Sequence, residues 1–379
     1  MSKRIIVQGR PFASPLSGNK TFTTNFMRHL AEKLPGTPIE ILVPAKTDMN
    51  PFRLPTNCTV TELTAHNTVP EYMAIPLWEH VQVYDYVQKH ADDVLLFLST
   101  HHSLPFRKMK TPEVMVLHDV QLWKDPDSGW SDARKLGTRL NEEGVRSADA
   151  LFSVSRFTES EIRAFFPDLS ASIVTMHEDI DPYYKQWHET DEEGILHKFG
   201  VTKRKFFLYV GSFEKRKNLA TLLEAYRMYR DTEPEPADLL IIGSHTSRSK
   251  EVNTMTLDAS VKHYETATHE ELYALYGSAI AFVYPSQYEG FGLQILEAQN
   301  IGCPVIASDI PVFHEVAGQG AEYMNATSAD DIRNKLSLFT HDNGIHEKLV
   351  KAGRENAARF TWERTVDTFL DGTRRFLGV

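Results

Sequence analysis

Short apolar runs recur along this chain, and a small or turn-forming residue closes most of them. Residues 206–210 stop at Gly211, residues 239–242 at Gly243, residues 281–284 at Pro285 and residues 304–307 at Ser308. Runs of four to six apolar residues without polar alternation suit strands covered on both faces, the habit of parallel sheets. Amphipathic stretches follow them, at 219–229, 270–276, 293–301 and 329–338. The first half repeats the pattern. Strands are expected at 4–7, 39–43, 60–63, 94–98, 114–117, 150–154 and 173–175, with helices at 21–33, 78–90, 133–147 and 158–166. Strand, tight turn and helix in repetition predict an α/β protein built on doubly wound sheets.

At roughly 100–200 residues per domain, 379 residues make two domains the leading count. The stretch 178–200 separates the halves: it is charged and aromatic, contains Pro182 and Gly194, and has no clean period. The expected division is 1–180, a linker 181–200, 201–360, and a terminal helix 361–379. Ligands of such sheets sit beyond the carboxyl ends of the strands, so two facing domains would form a cleft lined by those turns.

Charge and composition exclude several partners. With 41 Lys and Arg against 51 Asp and Glu the chain carries a formal −10, which opposes nucleic-acid binding, because that affinity rests on phosphate neutralisation. No apolar run approaches the roughly 18 residues of a membrane helix, and residues 5–7 are too short an apolar stretch for a secretory signal. Cys58 and Cys303 make no zinc spacing. A reducing, cytoplasmic setting is expected.

Four turns carry candidate chemistry. In the first, Pro285-Ser286-Gln287-Tyr288-Glu289-Gly290-Phe291-Gly292-Leu293, two glycines precede a helix whose start offers unpaired N–H groups to an anion. Glu289 and Glu297 lie eight apart and suit sugar or ribose hydroxyls; an ordinary strand-to-helix turn is the competing reading. In the second, Gly211 is followed by Glu214-Lys215-Arg216-Lys217. Six of the fifteen residues from Lys203 to Lys217 are basic. Cations at a helix start are unfavourable unless an anion is near, so Arg216 and Lys217 are candidates for a diphosphate. Lys203-Arg204-Lys205 reads better as a solvated face. The third is His118-Asp119 at a strand end, and the fourth the small-residue loop Ser14–Gly18 after the first strand.

Together these stretches resemble glycosyltransferase family 4, the glycosyl transferases group 1, which are retaining enzymes of the GT-B fold. The stretches "YVGSFEKRKNL", "THEELYALYGSA" and "VYPSQYEGFGLQILEAQNIGCPVIASDIP" carry the resemblance over 206–308, and "FTWERTVDTFL" at 360–370 is similar to the family's terminal helix, which packs back toward the first domain. In the first half the anchors are Gly18, His118-Asp119 and Ser153-Val154-Ser155-Arg156-Phe157. The resemblance implies two facing Rossmann-like domains, an acceptor-side domain at 1–180 and a nucleotide-sugar domain at 201–360. It implies transfer of a hexosyl unit from a nucleoside-diphosphate sugar to a glycan or lipid-linked glycan, with mannosyl or glucosyl the base-rate choices. Arg216 and Lys217 would neutralise the diphosphate, and Glu289 and His118 would contact the sugar. Gly290, Phe291, Gly292 and Leu293, with Gly211 and Gly18, would hold the donor through the backbone, and Glu297 would bind ribose. No metal or other cofactor is implied. Contact with the inner face of a membrane would be transient. Two departures stand out: Ser17-Gly18 replaces paired glycines, and Met176-His177-Glu178-Asp179 replaces an Asn-Gly after the last first-domain strand.

Other readings have weaker support. Asp125-Pro126-Asp127 and Asp179-Ile180-Asp181 spell a metal-binding Asp-x-Asp but fall in a loop and in the linker. A sugar-nucleotide epimerase of the same fold, or a non-catalytic sugar-nucleotide-binding protein, remains the alternative. In the first half Trp78, Trp123, Trp130, Tyr72, Tyr84 and Tyr86 read as packing before sugar stacking. His101-His102 is open between an acceptor-side and a solvated role, and Lys108 and Lys110 near Phe106 are a faint membrane-contact candidate.

Overall fold

A computed structural model describes residues 3–13, 18–64, 71–124, 132–186, 188–244 and 260–378. The chain divides into two compact units, Met1–Asp179 with Thr361–Val379, and Ile180–Phe360.

The first unit is built on β1 (Arg4–Gln8), β2 (Ile39–Pro44), β3 (Cys58–Leu63), β4 (Val94–Ser99), β5 (Glu113–Leu117), β6 (Ala150–Ser153) and β7 (Ser172–Thr175), in the order β3-β2-β1-β4-β5-β6-β7. The second is built on β8 (Phe206–Val210), β9 (Asp238–Ile242), β10 (Val261–Tyr264), β11 (Phe282–Tyr284), β12 (Val305–Ser308) and β13 (Ala321–Met324), in the order β10-β9-β8-β11-β12-β13. Among the described residues every strand pair is parallel. Ile5, Ile6 and Val7 in β1 and Phe206, Phe207 and Leu208 in β8 are wholly buried, which is why their apolar runs carry no alternation.

The strand order of each sheet reverses once, between β1 and β4 and between β8 and β11. Loops leaving the carboxyl ends at such a reversal part to opposite faces and leave a crevice for a ligand. The turns after β8 and β11 begin at Gly211 and Pro285, and both flank the reversal of the second sheet. Close backbone approach explains one glycine nearby. A Cβ on Gly243 would lie 1.9 Å from the Gly211 carbonyl oxygen.

The expected helix at 78–90 is helical but irregular, a π-helical turn Trp78–Gln82 followed by Val83–Lys89, and a further helical piece, Glu71–Leu77, precedes it. Pro76 inside that preceding piece lacks an N–H and crowds the preceding turn, so a regular ladder is not available there. Residues 181–200 are not structureless. They carry the 3-10 turn Pro182–Lys185 and the helix Glu192–Lys198 within the second unit. Asp181 and Asp191 cap these, accepting from Tyr183 N and Gly194 N. In the first unit the helix Trp362–Leu377 starts with its Trp362 N–H donated to Asp179 Oδ2 at 3.0 Å.

Candidate functional site

The strongest constellation lies at the reversal of the second sheet. After β8, Lys215–Lys217 form a 3-10 turn that ends at Asn218 in a left-handed conformation (φ 57°), and the helix Leu219–Thr232 follows. Asn218 Nδ2 donates to the Ala326 carbonyl at 2.6 Å, which pins the turn from below. After β11, Gly292 takes φ 106° and opens the helix Leu293–Ile301. That angle favours glycine, and a Cβ there would also stand 3.0 Å from the Phe313 ring. The two turns are bonded to each other: Gln287 N–H donates to the Arg216 carbonyl at 2.8 Å, and Arg216 Nη1 to the Tyr288 carbonyl at 3.2 Å.

Their side chains form one charged network. Glu289 accepts from Lys217 Nζ at 2.5 Å and from Arg216 Nη1 at 2.8 Å, one cation on each oxygen. Arg216 Nε also reaches Glu214 at 2.9 Å. The Tyr284 hydroxyl lies 3.0 Å from both Lys217 Nζ and Glu289 Oε1 and 3.2 Å from Gln294 Oε1. Lys217 and Glu289 are each only 7% exposed, whereas the Arg216 side chain keeps 23%. Burial alone would raise the Glu289 pKa. The adjoining Lys217 and Arg216 charges overrule it and hold the carboxyl down at about 2. Burial dominates at Lys217, whose pKa is lowered although Glu289 opposes the shift. Glu289 is therefore ionised at neutral pH, and Arg216 is the more exposed of its two cationic partners. The anion that justifies two cations at this turn is, in the first place, Glu289 itself.

Glu297 sits elsewhere on the same helix. Its Oε2 accepts from the Tyr276 hydroxyl at 3.3 Å. Burial raises its pKa to about 7, and the Asp181 carboxylate adds to the rise against the Tyr276 hydrogen bond. Asn300 Nδ2 holds the Tyr184 carbonyl at 2.6 Å, tying the turn Pro182–Lys185 to this helix.

In the first unit His118 follows β5 and is fully engaged. Its Nε2 lies 3.0 Å from the Thr100 carbonyl oxygen and its Nδ1 2.5 Å from Glu178 Oε1. The Phe22 ring meets it edge-on at 4.8 Å. Glu178 escaped sequence reasoning as a partner, although its stretch was visible as a departure from the family pattern. Gly18 begins the helix Gly18–Lys33, and among the described residues a Cβ built on it would find no atom within 4 Å. His101 is buried rather than solvated, with Nε2 3.1 Å from Glu79, which also holds Arg10 at 2.5 Å. Trp123 packs on Phe165 and Phe166. Lys108 is taken up by Glu113 and Asp149. Asp179 and Asp181 cap backbone N–H groups. Ser14 to Ser17, Asp125-Pro126-Asp127 and Trp130 lie outside the described residues, as does the side chain of Tyr72. Among the described residues no three His, Cys, Asp or Glu side chains are grouped to hold a metal ion, and no helix is long and apolar enough to cross a membrane.

Residues 192–356 match the family described as Glycosyl transferases group 1. The chain is 29% identical over 255 residues to O-antigen chain mannosyltransferase B of Escherichia coli, covering 66% of this chain and 67% of that one. It is 30% identical over 235 residues to O-antigen chain mannosyltransferase RfbU of Salmonella typhimurium, covering 61% and 60%. The chain thus spans about two thirds or less of these relatives. Among solved structures, sucrose-phosphate synthase from Thermosynechococcus elongatus superposes with a TM-score of 0.77 at 19% identity over 99% of both chains. WaaG, a glycosyltransferase involved in lipopolysaccharide biosynthesis, gives 0.73 at 14% identity over 97% and 98%. At such identity these two share the fold.

Proposed function

We propose that this chain, which matches the glycosyl transferases group 1 family over residues 192–356 and has the GT-B fold, is a retaining hexosyltransferase that draws on a nucleoside-diphosphate sugar without a metal ion. The transferred unit is mannosyl, in keeping with the names of the two bacterial relatives. The acceptor is a glycan or lipid-linked glycan. The protein works in the cytoplasm, with transient contact at the membrane's inner face when the acceptor is lipid-linked.

The observation that carries this reading is the Arg216–Lys217–Glu289 network at the reversal of the second sheet. The hard step is departure of the diphosphate from an oxocarbenium-like carbon. Preorganised positive charge beside that leaving group is the large term in such catalysis. Arg216 and Lys217 supply it, and Glu289 holds both in place until the sugar draws on its carboxylate. The backbone of Gly290, Phe291, Gly292 and Leu293 receives sugar and phosphate at the helix start, where the dipole favours an anion. Gly211 leaves the main chain open at the end of β8. Glu297 takes the ribose hydroxyls. In the first unit His118 and Gly18 are the candidates for contact with the sugar and phosphate. Donor consumption screened across UDP-, GDP-, ADP- and dTDP-hexoses, with and without EDTA, tests the whole. One donor is expected to be turned over with its anomeric configuration kept and no response to EDTA. Binding without turnover of any donor would leave a sugar-nucleotide-binding protein, and an inverted product or EDTA sensitivity would remove the mechanism.

Glu297 yields a separate expectation. Its folded pKa of about 7 lies above the ordinary 4.5, so the folded state holds its proton more tightly than the unfolded chain. That contribution is full below about 4.5 and is lost as pH rises through 7. At pH 8 the ionised, partly buried carboxylate is a cost. Glu297→Gln is therefore expected to raise Tm at pH 8 more than at pH 5. It should also weaken donor binding about 10–100-fold, the scale of a hydrogen bond to a charged group. Calorimetric titration of the donor with parallel thermal melts reads both. Unchanged donor affinity would remove Glu297 from the ribose.

A further inference from the structure

We propose that Glu178 is a positioning residue that keeps His118 as an imidazolium with both ring N–H groups spent inside the first unit, so that His118 offers the donor a charged ring with no N–H to spare. The inference rests on the transferase reading for its functional half only.

The hydrogen-bond partners fix the protonation. A backbone carbonyl accepts and never donates, so Nε2, 3.0 Å from the Thr100 oxygen, carries a hydrogen. The other contact, Nδ1 to Glu178 Oε1 at 2.5 Å, needs one proton between two acceptors. Of the two groups the carboxyl is intrinsically the stronger acid, so the proton rests on the ring. The result is an imidazolium–carboxylate pair. Burial pulls the His118 pKa down, and the adjacent Glu178 charge and hydrogen bond more than restore it, so the net direction is upward. Asp119 acts the same way. On the other side stand Phe22 from the helix Gly18–Lys33 and, beyond β4, His101 and His102, whose own pKa values are lowered by burial.

The backbone leaves Glu178 few alternatives. In the sheet β6 lies between β5 and β7, so the segment after β7 must reach across β6 to meet His118. It is held on both sides of Glu178. Met176 N–H donates to the Ser153 carbonyl at 2.7 Å. The His177 carbonyl accepts from Thr365 Oγ1 at 2.8 Å, and Asp179 Oδ2 from Trp362 N at 3.0 Å. Glu178 is itself 3% exposed. With both nitrogens occupied, the edge left for a ligand is the positively polarised C–H of the charged ring, a weak donor that a sugar oxygen can meet.

Glu178→Gln is the decisive variant. The amide keeps the shape and can donate to a neutral Nδ1, so geometry survives while the counter-charge goes. NMR titration of the His118 ring in wild type, E178Q and E178D reads the pair directly, with thermal melts to confirm folding. The wild-type midpoint is expected above about 6.5, that of E178Q at or below it, and that of E178D restored toward wild type. The kcat/KM profile of wild type is expected to hold up to its own midpoint, whereas E178Q falls about tenfold per pH unit above its lower one. Equal midpoints in wild type and E178Q would overturn the pairing. A flat, near-normal profile in an E178Q shown to hold neutral His118 would overturn the functional half. If wild type transfers from no donor, the transferase reading fails, while the titration still decides the pairing.

Discussion

Replacing Arg216 with alanine is expected to lower turnover by about 10²–10³-fold, and Lys217→Ala by at least as much, the usual cost of removing one preorganised stabiliser of developing charge. The two positions differ in a way that helps the measurement. The Arg216 side chain is 23% exposed and spans Glu214, Glu289 and the Tyr288 carbonyl. Its loss leaves Glu289 still paired with Lys217, so R216A should fold normally and its lost activity reads chemistry. If the guanidinium acts on charge formed only as the glycosidic bond breaks, kcat and kcat/KM fall together while donor KM changes little. R216K is expected to fall between, because an ammonium keeps the charge and loses the planar fork that joins two carboxylates. Turnover at saturating donor, with melts as control, decides it. Near-normal rates in both R216A and K217A would sink the proposed role.

How far the sequence carried this site depends on sequence distance. Arg216 and Lys217 were legible because they stand together behind Gly211 in an acidic chain. Glu289 was legible through the glycines around it. Their direct pairing was not, since the partners lie 72 and 73 residues apart and only the β8–β11 neighbourhood joins them. Tyr284 read as one more apolar strand residue, yet its hydroxyl sits between the two charges. The His118–Glu178 contact needed the order β5-β6-β7, which no local pattern encodes. The fold shows the same division. Interior strands such as β8 are buried along nearly their whole length and announce themselves as apolar runs. The edge strands β10 and β13 are half-buried, with polar residues in Lys262, His263 and Glu322, and gave no such run. The short helix Glu192–Lys198 was hidden in charge and is marked by its Asp191 cap rather than by a period.

Glu289→Gln is expected to cost the fold about 3–5 kcal/mol at pH 7, the scale of removing one partner from a buried ion pair. Lys217 would be left 7% exposed with the Tyr284 hydroxyl and an amide oxygen in place of a carboxylate. Glutamine fills the same volume, so the loss measures charge and not a cavity. The companion double variant Lys217→Met with Glu289→Gln removes the stranded ammonium. It should recover much of the stability and none of the turnover, which separates the structural work of the pair from its chemical work. Acid gives the same test without mutation. The folded Glu289 pKa of about 2 lies below the ordinary 4.5, so its contribution is present above about 4.5 and is lost as pH falls toward 2. Urea unfolding from pH 7 to pH 2.5 should show wild type losing that increment below about 4.5, while E289Q, already without it, is flatter over the same window. Equal stability of wild type and E289Q at pH 7, or the same acid slope in both, would mean that the two cations do not depend on Glu289 for their place, and the donor site would have to be rebuilt around another anion.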